Sequence, residues 1–248
     1  MITRKSREQI ALMRRAGRVV AEMHEECARA SKPGVTTAEV DQVARDVLDR
    51  RGARSNFLGY HGFPAVICTS PNDVIVHGIP DGYTLREGDI LSIDCGAIIE
   101  GWHADAALTI PIGDVDDESH RLIDVTRHSL DAAIEQVLAG NRLSDIGAAV
   151  EGVAEAAGFT VVREYVGHGI GTAMHEEPHV PNYGPPGRGL KLKEGLVLAI
   201  EPMVNAGGAA TRTLDDGWAV VTADGRRSAH FEHTVAVTDH GPEVLTLP

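Results

Sequence analysis

The chain has 248 residues, 43% of them hydrophobic and 24% charged, which supplies one sizeable core, or two small ones fused closely, and argues against a disordered chain. Its formal net charge of −13 repels phosphate backbones and argues against nucleic-acid binding. The three cysteines (Cys27, Cys68 and Cys95) match neither a disulfide framework nor a zinc knuckle, and no run has signal-peptide or membrane-spanning form, so a cytoplasmic protein without membrane contact is expected.

A first helix begins at Ser6-Arg7-Glu8-Gln9, which has capping-box form, and sets Ile10, Met13, Gly17 and Val20 on one face. A second begins at Thr36-Thr37-Ala38-Glu39, carries Val40, Val43, Ala44, Val47 and Leu48 at helical spacing, and ends at Gly52. β-type runs follow at 64–69, 74–77, 90–99 and 103–110. A third helix is expected over roughly 118–138, stopping at Gly140. A fourth starts near Ser144 and ends at Gly158. A second group of strands is expected at 160–166, 196–201, 218–222 and 230–238. Helices, strands, helices, strands is an α+β order, without the strict alternation of a parallel βαβ fold.

This order contains a repeat. Glu87-Gly88-Asp89-Ile90-Leu91-Ser92-Ile93-Asp94 and Glu194-Gly195-Leu196-Val197-Leu198-Ala199-Ile200-Glu201 share a pattern of Glu-Gly, a buried strand and an acid. They lie 107 residues apart, as do His61 and His168, and Gly52 and Gly158 lie 106 apart. Two related halves about a pseudo-twofold axis account for this. The expectation is a single domain over 1–248, with halves of roughly 1–112 and 113–248, and with Asp94 and Glu201 facing a shared central space.

Asp94 ends one strand, and Asp105 lies in the next, after a turn at Ile99-Glu100-Gly101. In a hairpin with an even-length loop, both acids fall on one face, opposite or diagonal to each other. Like charges so placed repel, and burial among Ile and Leu would strip their solvation. Protonation, an Arg or Lys partner, or a cation could relieve this. Taken alone, such a pair belongs at the exposed end of a hairpin. Glu201, before Pro202, and Glu232, in Ala229-His230-Phe231-Glu232-His233, change that reading. Four acids in apolar strands, with no Lys or Arg in those segments, suit a multivalent cation. His168 is flanked by glycines that let its ring approach a crowded site. Carboxylates with one imidazole suit Mn, Fe, Co or Zn, and bridging carboxylates can hold two such ions about 3.5–4 Å apart.

Nearly the whole chain, from the first helix to Thr238, resembles type I methionine aminopeptidases. The motifs are Phe57-Leu58-Gly59-Tyr60-His61-Gly62-Phe63-Pro64, Val76-His77-Gly78-Ile79-Pro80, Ser92-Ile93-Asp94-Cys95-Gly96, Gly101-Trp102-His103-Ala104-Asp105, Gly167-His168-Gly169-Ile170-Gly171, Met174-His175-Glu176-Glu177-Pro178, Ile200-Glu201-Pro202-Met203 and Phe231-Glu232-His233-Thr234. The length suits the minimal bacterial form. The resemblance implies a pita-bread (creatinase/aminopeptidase-like) fold, with two pseudo-symmetric halves, an antiparallel sheet and helices on the outer face.

It also implies roles. Asp105 and Glu232 bridge two divalent metals, Asp94 completes one site, and His168 and Glu201 complete the other. His77 contacts the scissile amide, His175 polarises its carbonyl, and Glu201 takes the proton of the attacking water. Tyr60, Phe63, Cys68, Met174 and Trp218 form the methionine pocket, with His77 and His175 also touching substrate. Asn72, Val74 and Ser228 match a monovalent-cation site. The implied reaction is removal of the initiator methionine from nascent polypeptides with a small second residue, at the ribosome, by a monomeric enzyme whose metal-bridging hydroxide attacks the first peptide bond. Phe63 stands where many relatives have Tyr, Met174 where many have Phe, and Phe57 at a rim position that is often Cys. Two rivals share parts of this pattern. One is a pita-bread peptidase of the Xaa-Pro aminopeptidase or prolidase type, which usually carries an extra N-terminal domain. The other is a non-catalytic pita-bread binding protein, which generally lacks some metal ligands.

Overall fold

A computed structural model describes residues 2–248. Four helices lie among the described residues: α1 (Arg7–Ala30), α2 (Thr37–Arg51), α3 (Asp117–Glu135) and α4 (Leu143–Ala156). The expected capping box forms at Ser6, and α2 has one as well at Thr36. The Ser6 hydroxyl accepts from Gln9 N–H and the Gln9 side chain accepts from Ser6 N–H; Thr36 and Glu39 do the same for α2. Gly52 ends α2 in the left-handed region, at φ 61°. The third helix stops at Glu135 rather than 138, because Gln136 and Val137 turn back onto Ala133 and Ile134 carbonyls and send Val137 into the core. The fourth starts one residue before Ser144, capped at Arg142 by the carboxylate of Asp145.

The described residues also form fifteen strands, numbered in chain order. They are β1 (Arg54–Ser55), β2 (Ile67–Pro71), β3 (Val74–Val76), β4 (Ile90–Ile99), β5 (Trp102–Pro111), β6 (Thr160–Val161), β7 (Gly167–Gly169), β8 (Glu176–Val180), β9 (Val197–Ile200), β10 (Met203–Asn205), β11 (Thr211–Thr213), β12 (Val220–Thr222), β13 (Ser228–His230), β14 (Glu232–Thr238) and β15 (Gly241–Val244). The run 90–99 is a strand over its whole expected length. The run 160–166 keeps only its first two residues, and 230–238 is split at Phe231, whose N–H turns to the Pro202 carbonyl.

One antiparallel sheet organises the molecule, in the order β1-β4-β5-β14-β9-β7-β8, with β2 also on β4 and β15 on β14. Period-two alternation divides its faces. Leu91, Ile93, Cys95 and Ala97 of β4, with Ala104 and Ala106 of β5, pack under Val20 and Met23 of α1 and Val40, Ala44 and Val47 of α2. Leu198 and Ile200 of β9, with Val235 and Val237 of β14, pack under Leu122 and Leu130 of α3 and Ile146 and Val150 of α4. Each fully buried Leu or Ile contributes about 1.5–3 kcal/mol. The opposite face carries Asp94, Asp105, Glu232 and Thr234.

The α+β, pita-bread architecture expected from the motifs is therefore present, with all four helices on the outer face of the curled sheet. β4 and β9 flank the central β5–β14 pair, and each is preceded by a left-handed glycine, Gly88 (φ 89°) and Gly195 (φ 87°). The 107-residue offset does not carry His61 onto His168, however. His168 sits in β7 and pairs with Ala199, whereas the residue paired in the same way on β4 is Ser70, opposite Ser92. His61 lies in a short 3-10 turn, Tyr60–Gly62, away from the sheet.

Candidate metal centre

The sheet register places the acids. Ala107 of β5 pairs with Asp94 of β4 on one side and Glu232 of β14 on the other. Asp105, two residues before it, is diagonal to both and lies opposite Gly96. Glu201 comes one residue past the Ile200–His233 pair of β9 and β14, beside Glu232. Alanine and glycine at the intervening positions leave room for four carboxylates. Gly96 is required by a close approach, since a Cβ there would meet Asn56 Nδ2 at 2.5 Å. The Thr234 hydroxyl donates to the Asp105 carbonyl at 2.7 Å and accepts from its N–H at 2.9 Å, which locks β5 to β14 at this point.

His168 enters from β7. Its Nδ1 lies 2.9 Å from the Gly169 carbonyl, and donating there leaves the Nε2 lone pair for a metal. Nε2 is 3.6 Å from Glu201 Oε1. Ligand atoms of Asp105, His168 and Glu232 lie within 4.8 Å of one another. Asp94 and Glu201 line the same cavity of about 150 Å³.

Whether these residues fit a metal is a question of satisfied bonds. Asp94 Oδ1, Asp105 Oδ1 and Glu232 Oε1 are buried without a hydrogen-bond partner, and among the described residues no Lys or Arg pairs with any of the four acids. Burial pushes Asp94 up to about 7. Burial raises Asp105, with Asp94 and Glu201 adding to it, and raises Glu201, with Asp94 adding. Glu232 is raised by burial, then by Asp105, Glu201 and Asp94. Burial, and then His175, hold His168 down to about 3, so its ring is neutral and able to ligate. Unpartnered carboxylate oxygens around a neutral imidazole form a donor set for a divalent cation.

The remaining cavity wall is apolar. Phe57, Tyr60, Phe63, Cys68, Met174 and Trp218 line it together with His77 and His175. Phe63 meets Trp218 edge-on, with centroids 5.1 Å apart. The Cys68 thiol is pushed up by burial and then by Asp94, so it serves as an apolar wall rather than a nucleophile. The Tyr60 hydroxyl is 2.7 Å from His175 Nδ1, which leaves His175 Nε2 free. His77 takes a left-handed backbone (φ 62°), unusual for a residue with a side chain, and burial followed by His175 lowers its pKa to about 4. Asn72, Val74 and Ser228 gather away from this cavity. Ser228 N–H donates to the Asn72 carbonyl at 2.9 Å, and Val74 lies on β3 beside Val221 of β12.

One residue at the centre escaped the sequence reading. His230 is buried, its Nε2 lies 3.8 Å from Glu201 Oε2, and that nitrogen has no other partner. Burial holds it down to about 3. No local signal marks it, because His230 ends β13, which pairs with β10 in a separate three-stranded sheet, and the Met203–His230 pair is what brings it to Glu201.

A ring of buried carboxylates and one imidazole at the end of an apolar cavity defines a metal-dependent hydrolase. Residues 11–239 match metallopeptidase family M24, and the chain belongs to that family, whose members bind divalent metal. The chain is 51% identical over 248 residues to a methionine aminopeptidase from Clostridium acetobutylicum, covering 100% of this chain and 99% of the relative. It superposes on the methionine aminopeptidase of Thermotoga maritima with a TM-score of 0.99 at 40% identity, covering 100% of both chains. The Pyrococcus furiosus prolidase shares the fold alone, with a TM-score of 0.81 at 20% identity, and this chain covers 65% of it.

Proposed function

We propose that the chain is a methionine aminopeptidase that removes the initiator methionine from nascent polypeptides whose second residue is small. The observation that carries this reading is the meeting, in one cavity of about 150 Å³, of the acid–imidazole cluster with His77, His175 and a wall of aromatic and sulfur side chains. Sulfur beside aromatic rings suits a thioether, and the small volume suits one terminal side chain.

Asp94, Asp105, His168, Glu201 and Glu232 would hold two divalent ions drawn from Co, Mn, Fe and Zn. Bound there, the ions supply Lewis acidity to the scissile carbonyl and acidify the attacking water at neutral pH. Glu201, raised by burial, accepts the water's proton. His175, held through Nδ1 by Tyr60, donates from Nε2 to the developing oxyanion. His77 contacts the scissile amide and helps protonate the leaving nitrogen. Tyr60, Phe63, Cys68, Met174 and Trp218 receive the methionine side chain and exclude water, with Phe57 as an added wall.

Asn72, Val74 and Ser228 are assigned to a monovalent cation that braces β3 and β13. The chain is taken as a cytoplasmic monomer that meets its substrates at the ribosome, without nucleic-acid or membrane contact. No helix among the described residues is long and apolar enough to cross a membrane. A paired assay on Met-Ala-Ser and Xaa-Pro peptides tests the reading. Methionine release is expected from the first and nothing from the second, and the reverse result rejects it.

A further inference from the structure

The segment ahead of α1 runs to the turn that carries His175. The buried Lys5 ammonium lies 2.7 Å from Glu176 Oε2, and Thr3 Oγ1 donates to the same oxygen at 2.7 Å. Lys5 also donates to Thr3 Oγ1 at 2.8 Å. The other carboxylate oxygen, Oε1, accepts from Thr172 N–H at 2.9 Å and Ala173 N–H at 3.4 Å, so Glu176 ties the 171–176 turn back on itself. Gly171 completes the packing, because a Cβ there would meet both Lys5 Cε and Glu176 Oε1 at 2.5 Å. The segment is anchored at its other end to the turn that leads into β9. Lys5 N–H donates to the Gly195 carbonyl at 2.7 Å, and Arg4 Nε donates to the Glu194 carbonyl at 2.7 Å.

None of these residues lines the cavity, yet the turn they fix carries Met174 and His175, which do. Burial pushes the Glu176 carboxyl up, but Lys5, Thr3 and Ala173 N–H outweigh it and leave Glu176 ionised. A buried ion pair adds little net stability compared with apolar residues of the same shape. What it supplies is a defined geometry, and here that geometry is imposed on the residue next to His175.

We propose that Lys5 is a positioning residue for the reaction: through Glu176 it sets the 171–176 turn and so places His175 and Met174 against the substrate. The consequence for catalysis rests on the aminopeptidase reading above, whereas the coupling of Lys5 to the turn does not.

The test compares metal-loaded wild type with Lys5→Met, Lys5→Arg and Thr3→Val. Lys5→Met is expected to lower kcat/KM on Met-Ala-Ser by about 10–100-fold, mostly in kcat, with metal stoichiometry unchanged. Lys5→Arg restores it to within about threefold of wild type, because a cation again reaches Glu176. Without any substrate, amide exchange at Thr172 and Ala173 is expected to quicken about tenfold or more in Lys5→Met. Thr3→Val, which removes one exposed hydrogen-bond partner, produces the same changes more weakly if Lys5→Met fails to fold. Unchanged kinetics and exchange overturn the proposal, as does a loss that merely tracks lost metal or folded protein. If wild type releases no methionine, the functional reading fails, and exchange at Thr172 and Ala173 still decides the coupling.

Discussion

Asp94, Asp105, Glu201 and Glu232 occupy positions where the sheet alone favours apolar residues, and each is raised by burial. Removing one charge should relieve repulsion while abolishing a ligand. Glu232→Gln is expected to raise the Tm of the metal-free protein by about 2–5 °C and to reduce bound metal. Calorimetry in chelator, with metal analysis of the untreated sample, checks both; a lower Tm would mean that Glu232 has a stabilising partner. His175 should act differently, because it lies beside the metal ligands rather than among them. His175→Ala is expected to lower kcat by about 10²–10³ with metal content retained, measured on Met-Ala-Ser. The acids were legible in the sequence because charged residues inside apolar strands have few physical explanations. His230 was not, because a histidine in a strand is compatible with an ordinary core position, and only the register brings it within 3.8 Å of Glu201.

Among the elements, those governed by local rules were the readable ones. The capping boxes at Ser6 and Thr36 and the alternation along 90–99 each state their structure within a few residues. The short strands β7, β8 and β10 carry no such signal, since their pairing is decided by tertiary partners rather than local pattern. For the same reason spacing alone misplaces His61, since Ser70, not His61, holds on β4 the sheet position that His168 holds on β9. β7 also shows how tightly the site depends on strand contact. A Cβ at Gly167 would meet the Ala199 carbonyl at 2.4 Å, and backbone cannot move aside as a side chain can. Gly167→Ala is expected to cost about 1–3 kcal/mol in urea unfolding and to weaken metal binding, because β7 shifts with His168 on it. Wild-type metal affinity in this variant would show that His168 is positioned independently of the β7–β9 contact.

At the scale of the whole molecule, the curled sheet holds its helices on one face and its charge problem on the other. Metal binding should therefore govern stability in a pH-dependent way. Asp94 rises from 3.8 to about 7 on folding, so the metal-free folded chain binds more protons than the unfolded chain in that window. Its stability is present at low pH and is lost as pH rises through about 7. The buried, non-ligand His24 is held down to about 3 by burial, so its contribution runs the other way, lost as pH falls below 6.5, with or without metal. A metal binds the deprotonated carboxylates, so the Tm gained on adding Mn should grow between about pH 5.5 and 8. Matched melting curves at the two pH values read this directly, and a gain that shrinks with pH would contradict the carboxylate centre.

Removal of a terminal methionine at this centre is the reaction to be tested. Its most direct measurement follows methionine release from a Met-Xaa peptide panel and an Xaa-Pro control, using protein stripped with chelator and then reloaded anaerobically with Mn, Fe, Co or Zn. No release is expected from stripped protein, and release is expected to return with at least one metal, confined to peptides with a small second residue. Full turnover after exhaustive metal removal, or cleavage of the Xaa-Pro peptide alone, would contradict it.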